Sequence, residues 1–274
     1  MRKGQALQQN EADKLKSVVK ALQILEAFTI DAPELSIGDL QEKLSIPRVS
    51  IYRFMRILIN RGFIRQNPHT RRYSLGIKVF ELGSIVLRNF ELRKIAFPLI
   101  DDLSKVSGET VHLGVLDGSK VVSIEGVESG QSLRISVPIG KRVFPHSTGI
   151  GKAILAFLDD EEIDGIIKKE GLPRFTPNTI VERTALLHAI QAIRRSGYAV
   201  DNEENEQGIR CVAAPVFNTD KRVVASISIS GPAMRIPIER IPELAEKVMK
   251  TTGDISLALG YPSEIDATDA NSVT

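Results

Sequence analysis

The chain has 274 residues, a formal net charge of +2, one cysteine and no tryptophan. That length allows one large domain or two ordinary ones, and the lone Cys211 excludes an internal disulfide framework. No run approaches the roughly 18 apolar residues of a membrane span, and the polar start MRKGQALQQNEADKLK lacks the apolar stretch of a secretory signal. A cytoplasmic protein with no membrane partner is expected.

The charge is uneven. Residues 1–78 carry 14 Lys/Arg against 7 Asp/Glu, net +7, and residues 79–274 carry 22 against 27, net −5. One domain that meets a polyanion, joined to one that does not, has this pattern. Charge alone does not distinguish DNA from RNA or a lipid surface.

Residues 1–14 show no periodicity and read as a disordered arm. From Leu15 to Phe28, the apolar positions Val18, Ala21, Leu22, Leu25 and Phe28 recur at helical spacing. Asp31-Ala32-Pro33 breaks that helix. Ser36 caps the next one, with Asp39 at the capping-box position, and it runs to about Leu44. Ser45-Ile46-Pro47 is a tight turn with Ser45 as candidate N-cap. The helix that follows reaches Arg61 and stops at Gly62. At 100° per residue, Ile51, Phe54, Met55 and Leu58 fall on one side and Arg48, Val49, Tyr52, Arg53 and Arg56 on the other. Guanidiniums gathered on one short face repel each other unless something anionic meets them.

A hairpin comes next, with flanks 63–66 and 72–75 around Asn67-Pro68. Helix, helix, tight turn, helix and hairpin make a winged helix-turn-helix over residues 15–76. In that motif the second helix of the pair enters the major groove, and the wing tip, here His69, Thr70, Arg71 and Arg72, lies on adjacent DNA. Ser50, Arg71 and Arg72 are the expected phosphate contacts, and Arg48, Tyr52 and Arg53 the expected groove contacts.

Residues 77–91 read as a linker helix. From Leu92 to Val106 an amphipathic helix contains Pro98, which marks a kink or a late start. Strands are expected over 110–116 and 120–127, joined by Asp117-Gly118, with a third over Leu133–Val137. Residues 138–145 form a loop, and Ser147 to Lys152 open a helix over Ala153–Leu158. Helices follow over 159–169 and 182–196, then a strand over 198–200 and an acidic loop over Asp201–Glu206. Strands over 209–217 and 223–230 precede a closing helix over 238–259. The tail, 262–274, reads as disordered. Strands and helices mix without strict alternation, so residues 92–261 are expected to be α+β with a mostly antiparallel sheet.

No catalytic constellation stands out. Ser147-Thr148-Gly149-Ile150-Gly151-Lys152 lacks the spacing of a phosphate loop. It is either an ordinary capped helix start or a place where unpaired N–H groups bind a carboxylate or phosphate. Val143, Phe144, Ile209 and Val212 could wall such a site. Four scattered histidines and one cysteine give no metal spacing, so neither metal nor cofactor is expected. The acidic run reads as a solvated loop. A rival reading is a cysteine-dependent acyl-processing enzyme that uses Cys211 with His112 or His146, on a nucleic-acid-binding N-terminal domain.

Ser17 to Leu25, Pro47 to Arg53, Gly62-Phe63, Tyr73 to Gly76 and Leu82-Gly83 resemble the DNA-binding half of the IclR family of bacterial transcription regulators. Pro145 to Ala153, Gly197-Tyr198, Asp201 to Glu204, Gly208 to Val216 and Ser226 to Pro232 resemble its effector-binding half. Gly114 with Glu203 to Cys211 is most similar to the KdgR-like branch, which represses sugar-acid catabolism. The resemblance implies a GAF-like C-terminal domain with a pocket for a small organic acid. The acid's carboxylate would meet the N–H groups of Gly149 and Ile150. Asp201 would hydrogen-bond its polar end, and Val143, Ile209 and Cys211 would line the wall. It further implies a repressor, dimeric or tetrameric on a palindromic operator, whose operator binding is controlled by the acid. Val49 departs from the small hydroxyl residue of many members; an apolar group there could touch a thymine methyl.

Overall fold

The computed structural model describes residues 16–89 and 91–262. The arm and tail expected at the two ends lie outside this range, apart from Pro262. The chain divides at residues 90/91 into two units.

The first unit opens with α1, described over 16–26. It buries Ile24, with Ala27 and Phe28 just beyond it, and packs Ala21 and Leu25 against the same core. Val18 and Leu22 of the expected stripe are instead exposed. In α2 (Ile37–Leu44) the capping box is complete: Ser36 Oγ accepts from the Asp39 N–H, and the Asp39 carboxylate accepts from the Ser36 N–H. Ser45 ends α2 rather than capping the next helix. It sits in the left-handed region at φ 53° and donates its N–H to the Gln41 carbonyl. The next helix, α3 (Arg48–Asn60), follows Pro47 without a side-chain cap. Pro47 has no N–H to satisfy, and its carbonyl accepts from Ser50 and Ile51. Strands β1 (Ile64–Gln66) and β2 (Tyr73–Leu75) form the wing, and α4 (Ile77–Asn89) follows.

The second unit is built on a six-stranded sheet in the order β5-β4-β3-β8-β7-β6, in which every neighbouring pair is antiparallel. The strands are β3 (Thr110–Asp117), β4 (Lys120–Val127), β5 (Arg142–Val143), β6 (Ala199–Asn202), β7 (Ile209–Phe217) and β8 (Val223–Pro232). One face carries Val111, Leu113, Val212, Ala214, Ile227 and Ile229 and packs against α5 (Glu91–Ser107) and α9 (Ile241–Ala258). The helix α5 continues through Pro98, so that proline does not delay its start. The other face packs through Ala199 and Ala213 against α6 (Gly149–Leu155), α7 (Asp160–Glu170) and α8 (Arg183–Ser196).

The expected strand over Leu133–Val137 does not form, and β5 lies within the stretch read as a loop. Pro138 offers no N–H to a ladder. The backbone here is tied by side chains instead: the Ile135 carbonyl accepts from Thr110 Oγ1 and the Leu133 carbonyl from Arg235, while the Ser136 and Arg134 side chains both donate to the Glu128 carboxylate. The helix expected from Ala153 begins at Gly149, capped by the Thr148 hydroxyl on the Gly151 N–H. Gly151 is obligatory, because a Cβ there would stand 2.3 Å from Pro145 Cα.

Candidate nucleic-acid interface and ligand pocket

Burial divides α3 as its periodicity predicts. Ile51, Phe54, Met55 and Leu58 are in the core, while Arg48, Val49, Tyr52, Arg53 and Arg56 are exposed. Val49 is 83% exposed, which for an apolar β-branched residue leaves a methyl pair in water. Two guanidiniums are steadied by aromatic faces: Arg48 lies 5.8 Å from the Tyr52 ring centroid and Arg53 lies 5.3 Å from that of Phe54. Ser50, at the start of the helix, is half-buried.

The wing tip is shaped by Asn67, whose Oδ1 accepts from the N–H groups of His69 and Thr70. Arg71 adopts φ 58° and its side chain is exposed. Arg72 is placed differently from the expectation of a free phosphate contact. Its guanidinium donates to Asp39 Oδ2 at 2.8 Å and to the Glu34 carbonyl at 3.0 Å, fastening the wing to the start of α2. Hydrogen bonds from Ser36, and then the Arg72 charge, hold the Asp39 carboxyl below its usual range.

In the second unit, the α6 side of the sheet is unusually polar. Cross-strand rows place Asp201, Cys211, Ser230 and Thr110 side by side, and next to them Ala213, Ser228 and His112. A cavity of about 110 Å³ lies over these rows. Gly149 and Ile150 form its roof, Val143 and Ile209 are apolar walls, and Asp201 and Cys211 contribute from the sheet. Thus all six residues expected at an effector site line one cavity. Of the other wall candidates, Val212 points to the opposite core and Phe144 packs with His146 and Phe175. The Gly151 N–H is taken by Thr148, but the N–H groups of Gly149 and Ile150 make no bond to any described residue. The absence of a Cβ at Gly114 admits the Ile150 side chain, since such an atom would stand 2.9 Å from Ile150 Cδ1.

The acidic run is solvated at Asn202 and Glu206 but buried at Asp201 and Glu204. Asp201 is on β6 and buried, and its Oδ1 accepts from the N–H groups of Glu204 (2.7 Å) and Asn205 (3.4 Å). Burial, with the Glu204 charge nearby, raises its pKa to about 7. Glu204 is buried against Lys152 of α6, and its carbonyl accepts from the hydroxyls of Thr176 and Thr179.

Sequence reasoning missed Ser123, Ser228 and Ser230, which also line the cavity, and named His112, a further lining residue, only as a partner for Cys211. The signal was present in Ser226-Ile227-Ser228-Ile229-Ser230, a strict period of two with small hydroxyls on one buried face. The cysteine-enzyme reading loses its chemistry here. Burial pushes the Cys211 thiol well up, so it stays protonated. His146 bonds the Pro173 carbonyl away from the cavity, and burial lowers the pKa of His112 to about 4. Among the described residues, no three His, Cys, Asp or Glu side chains cluster as metal ligands, and no helix is long and apolar enough to cross a membrane.

Residues 17–68 match the IclR helix-turn-helix domain, and residues 84–257 match the family described as bacterial transcriptional regulator IclR C-terminal. The chain is 37% identical over 249 residues to the HTH-type transcriptional regulator XynR of Escherichia coli K12, covering 91% of this chain and 99% of XynR. It is 36% identical over 251 residues to KdgR of the same organism, covering 92% and 95%. The crystal structure of the Thermotoga maritima IclR superposes with a TM-score of 0.71 at 38% identity, covering 90% of this chain and all of that one. These relatives are regulators, not enzymes. With both halves matched in order, and the likeness spanning nearly the full length of each relative, the chain belongs to the IclR family of bacterial transcriptional regulators.

Proposed function

We propose that this protein is a cytoplasmic repressor that binds a palindromic operator as a dimer or tetramer, and that a small organic acid of the sugar-acid class releases it. The observation that carries the reading is the exposed face of α3, where Arg48, Val49, Tyr52, Arg53 and Arg56 stand opposite a fully buried stripe. Arg48, Tyr52 and Arg53 read the groove, Val49 meets a thymine methyl, and Ser50 and the wing residues His69, Thr70 and Arg71 hold the backbone. Self-association is supported by apolar side chains left in water in the first unit, Val18 and Leu22 on α1 and Ile77 and Phe80 on α4.

In the second unit the acid's carboxylate takes the N–H groups of Gly149 and Ile150. Asp201 hydrogen-bonds a second polar group, and Val143, Ile209 and Cys211 bound the apolar part. The acid acts by favouring one arrangement of subunits, with the linker helix passing the change to the half-sites. It shifts DNA affinity only as far as its own affinity differs between the arrangements.

The test is anisotropy titration of a duplex selected from a random library. Arg53→Ala is expected to weaken binding at fixed salt by about 1–3 kcal/mol. Unchanged affinity would remove α3 as the recognition helix. Acids that bind the full chain are expected to lower wild-type DNA affinity.

A further inference from the structure

The cavity holds a feature that an acid and an apolar wall leave unexplained. His112 is 5% exposed and Ser123 is 6% exposed, both line the cavity, and neither His112 ring nitrogen nor Ser123 Oγ has a hydrogen-bond partner among the described residues. Buried polar atoms are almost always paired, so three orphans on two residues that line one cavity mark a place where a ligand supplies partners. Their neighbours are committed elsewhere. Ser228, directly across from His112 in the β3–β8 register, shares a 3.3 Å hydrogen bond with Ser230, and Ser226 donates to the Ala214 carbonyl.

We infer that His112, assisted by Ser123, is a specificity-determining residue that selects an acid bearing a hydroxyl group remote from its carboxylate. The inference rests on the acid-binding reading above and adds the chemistry of the ligand's far end. With its pKa lowered by burial to about 4, His112 is neutral at physiological pH. A neutral imidazole presents one donor and one acceptor, and a serine hydroxyl presents both. A carboxylate only accepts, so it leaves the imidazole lone pair unmatched. An ammonium only donates, so it leaves the ring N–H unmatched. The two ring nitrogens point apart, so one hydroxyl meets one of them, as donor or as acceptor, and an acid that carries more than one hydroxyl can meet both. Placement agrees: Gly149 packs over Cys211 and Ala213 on β7, whereas His112 is on β3, two strands away, or about 10 Å. The hydroxyl is therefore several bonds from the carboxylate. Packing restricts His112 as well, since a Cβ on Gly126 would stand 3.1 Å from its Nδ1.

Calorimetry on the full chain with matched pairs, butyrate against threonate and hexanoate against gluconate, tests this. In the wild type, at least one hydroxylated acid is expected to bind about 10- to 100-fold tighter than its plain counterpart, the penalty of leaving buried partners unpaired. His112→Leu is expected to bring that ratio close to one. Ser123→Ala, a smaller change to the fold, is expected to reduce it in the same direction. Plain acids binding as well as hydroxylated ones, or a preference that survives in both variants, would overturn the inference and leave the acid-binding reading intact. Failure of every acid to bind, hydroxylated or plain, would remove the acid-binding reading and this inference with it.

Discussion

Lys152, on α6, and Glu204, in the loop after β6, form an ion pair with both partners buried, at 3% and 7% exposure. The Glu204 Oε1 that receives the ammonium also accepts from the Asn202 N–H, and Oε2 has no partner. The pair links the helix whose first residues roof the cavity to the loop that follows β6, the strand from which Asp201 lines it. Removing one partner strands the other charge in a poorly solvated place. Lys152→Met is expected to destabilise the fold by about 3–5 kcal/mol. Lys152→Met with Glu204→Leu is expected to recover most of that loss, because two apolar groups replace two desolvated charges. Urea unfolding of the four members of the cycle reads both effects. A double variant as unstable as Lys152→Met would show that the site, and not the stranded carboxylate, carries the loss.

Two glycines separate close packing from conformational freedom. A side chain at Gly151 meets the Pro145 backbone, while one at Gly165, inside α7, meets nothing within 4 Å. Gly151→Ala is expected to destabilise by about 1–3 kcal/mol through overpacking that backbone cannot relieve. Gly165→Ala is expected to stabilise by about 0.4–1 kcal/mol, since alanine has less freedom to lose on folding. Thermal unfolding of the two variants should therefore move in opposite directions.

The first unit was largely legible because its signals are local. The period of α3, the Ser36–Asp39 capping box and the Asn67-Pro68 turn each involve residues within a few positions of one another. The misreadings there arose where a neighbour decides. Ser45 looks like an N-cap, but the preceding helix takes it as a C-cap. Val18 and Leu22 look like core, but no described element of the first unit covers them. The second unit depends on distant partners. Nothing near Glu204 in sequence announces Lys152, so the acidic run read as solvated. The apolar alternation Leu133, Ile135, Val137 looks like a strand; in the fold, Ile135 and Val137 line the cavity while the backbone carbonyls of Leu133 and Ile135 accept from the Arg235 and Thr110 side chains. The six effector-site residues were placed through family resemblance. His112 and Ser123 became visible only when their orphaned polar atoms could be counted.

Adjacent arginines on the wing should behave differently on DNA. The Arg71 side chain is exposed at the tip, whereas the Arg72 guanidinium is held by Asp39 and the Glu34 carbonyl. Each phosphate neutralised contributes about 0.9 to the slope of log affinity against log salt. Arg71→Ala is expected to reduce that slope by about one unit. Arg72→Ala is expected to leave the slope nearly unchanged and to weaken binding by loosening the wing. Equal slope changes would show that Arg72 leaves Asp39 when DNA is bound.

Asp201 makes acid binding depend on pH near neutrality. Its pKa is raised to about 7, first by burial and then by the Glu204 charge. Below that value it is neutral and can donate to a bound acid; above it the carboxylate repels the ligand's anion. Affinity for a carboxylate is therefore expected to be constant well below pH 7 and to fall as pH rises through it. If only the protonated form binds, Kd rises about tenfold between pH 6 and pH 8. Asp201→Asn keeps a neutral side chain at every pH and is expected to flatten the profile. The ligand's own carboxyl, with a pKa near 4, is ionised throughout this window and adds no slope. Calorimetry at pH 6, 7 and 8 with any acid the wild type binds measures the effect, and an equally steep profile in Asp201→Asn would assign the titration to another group.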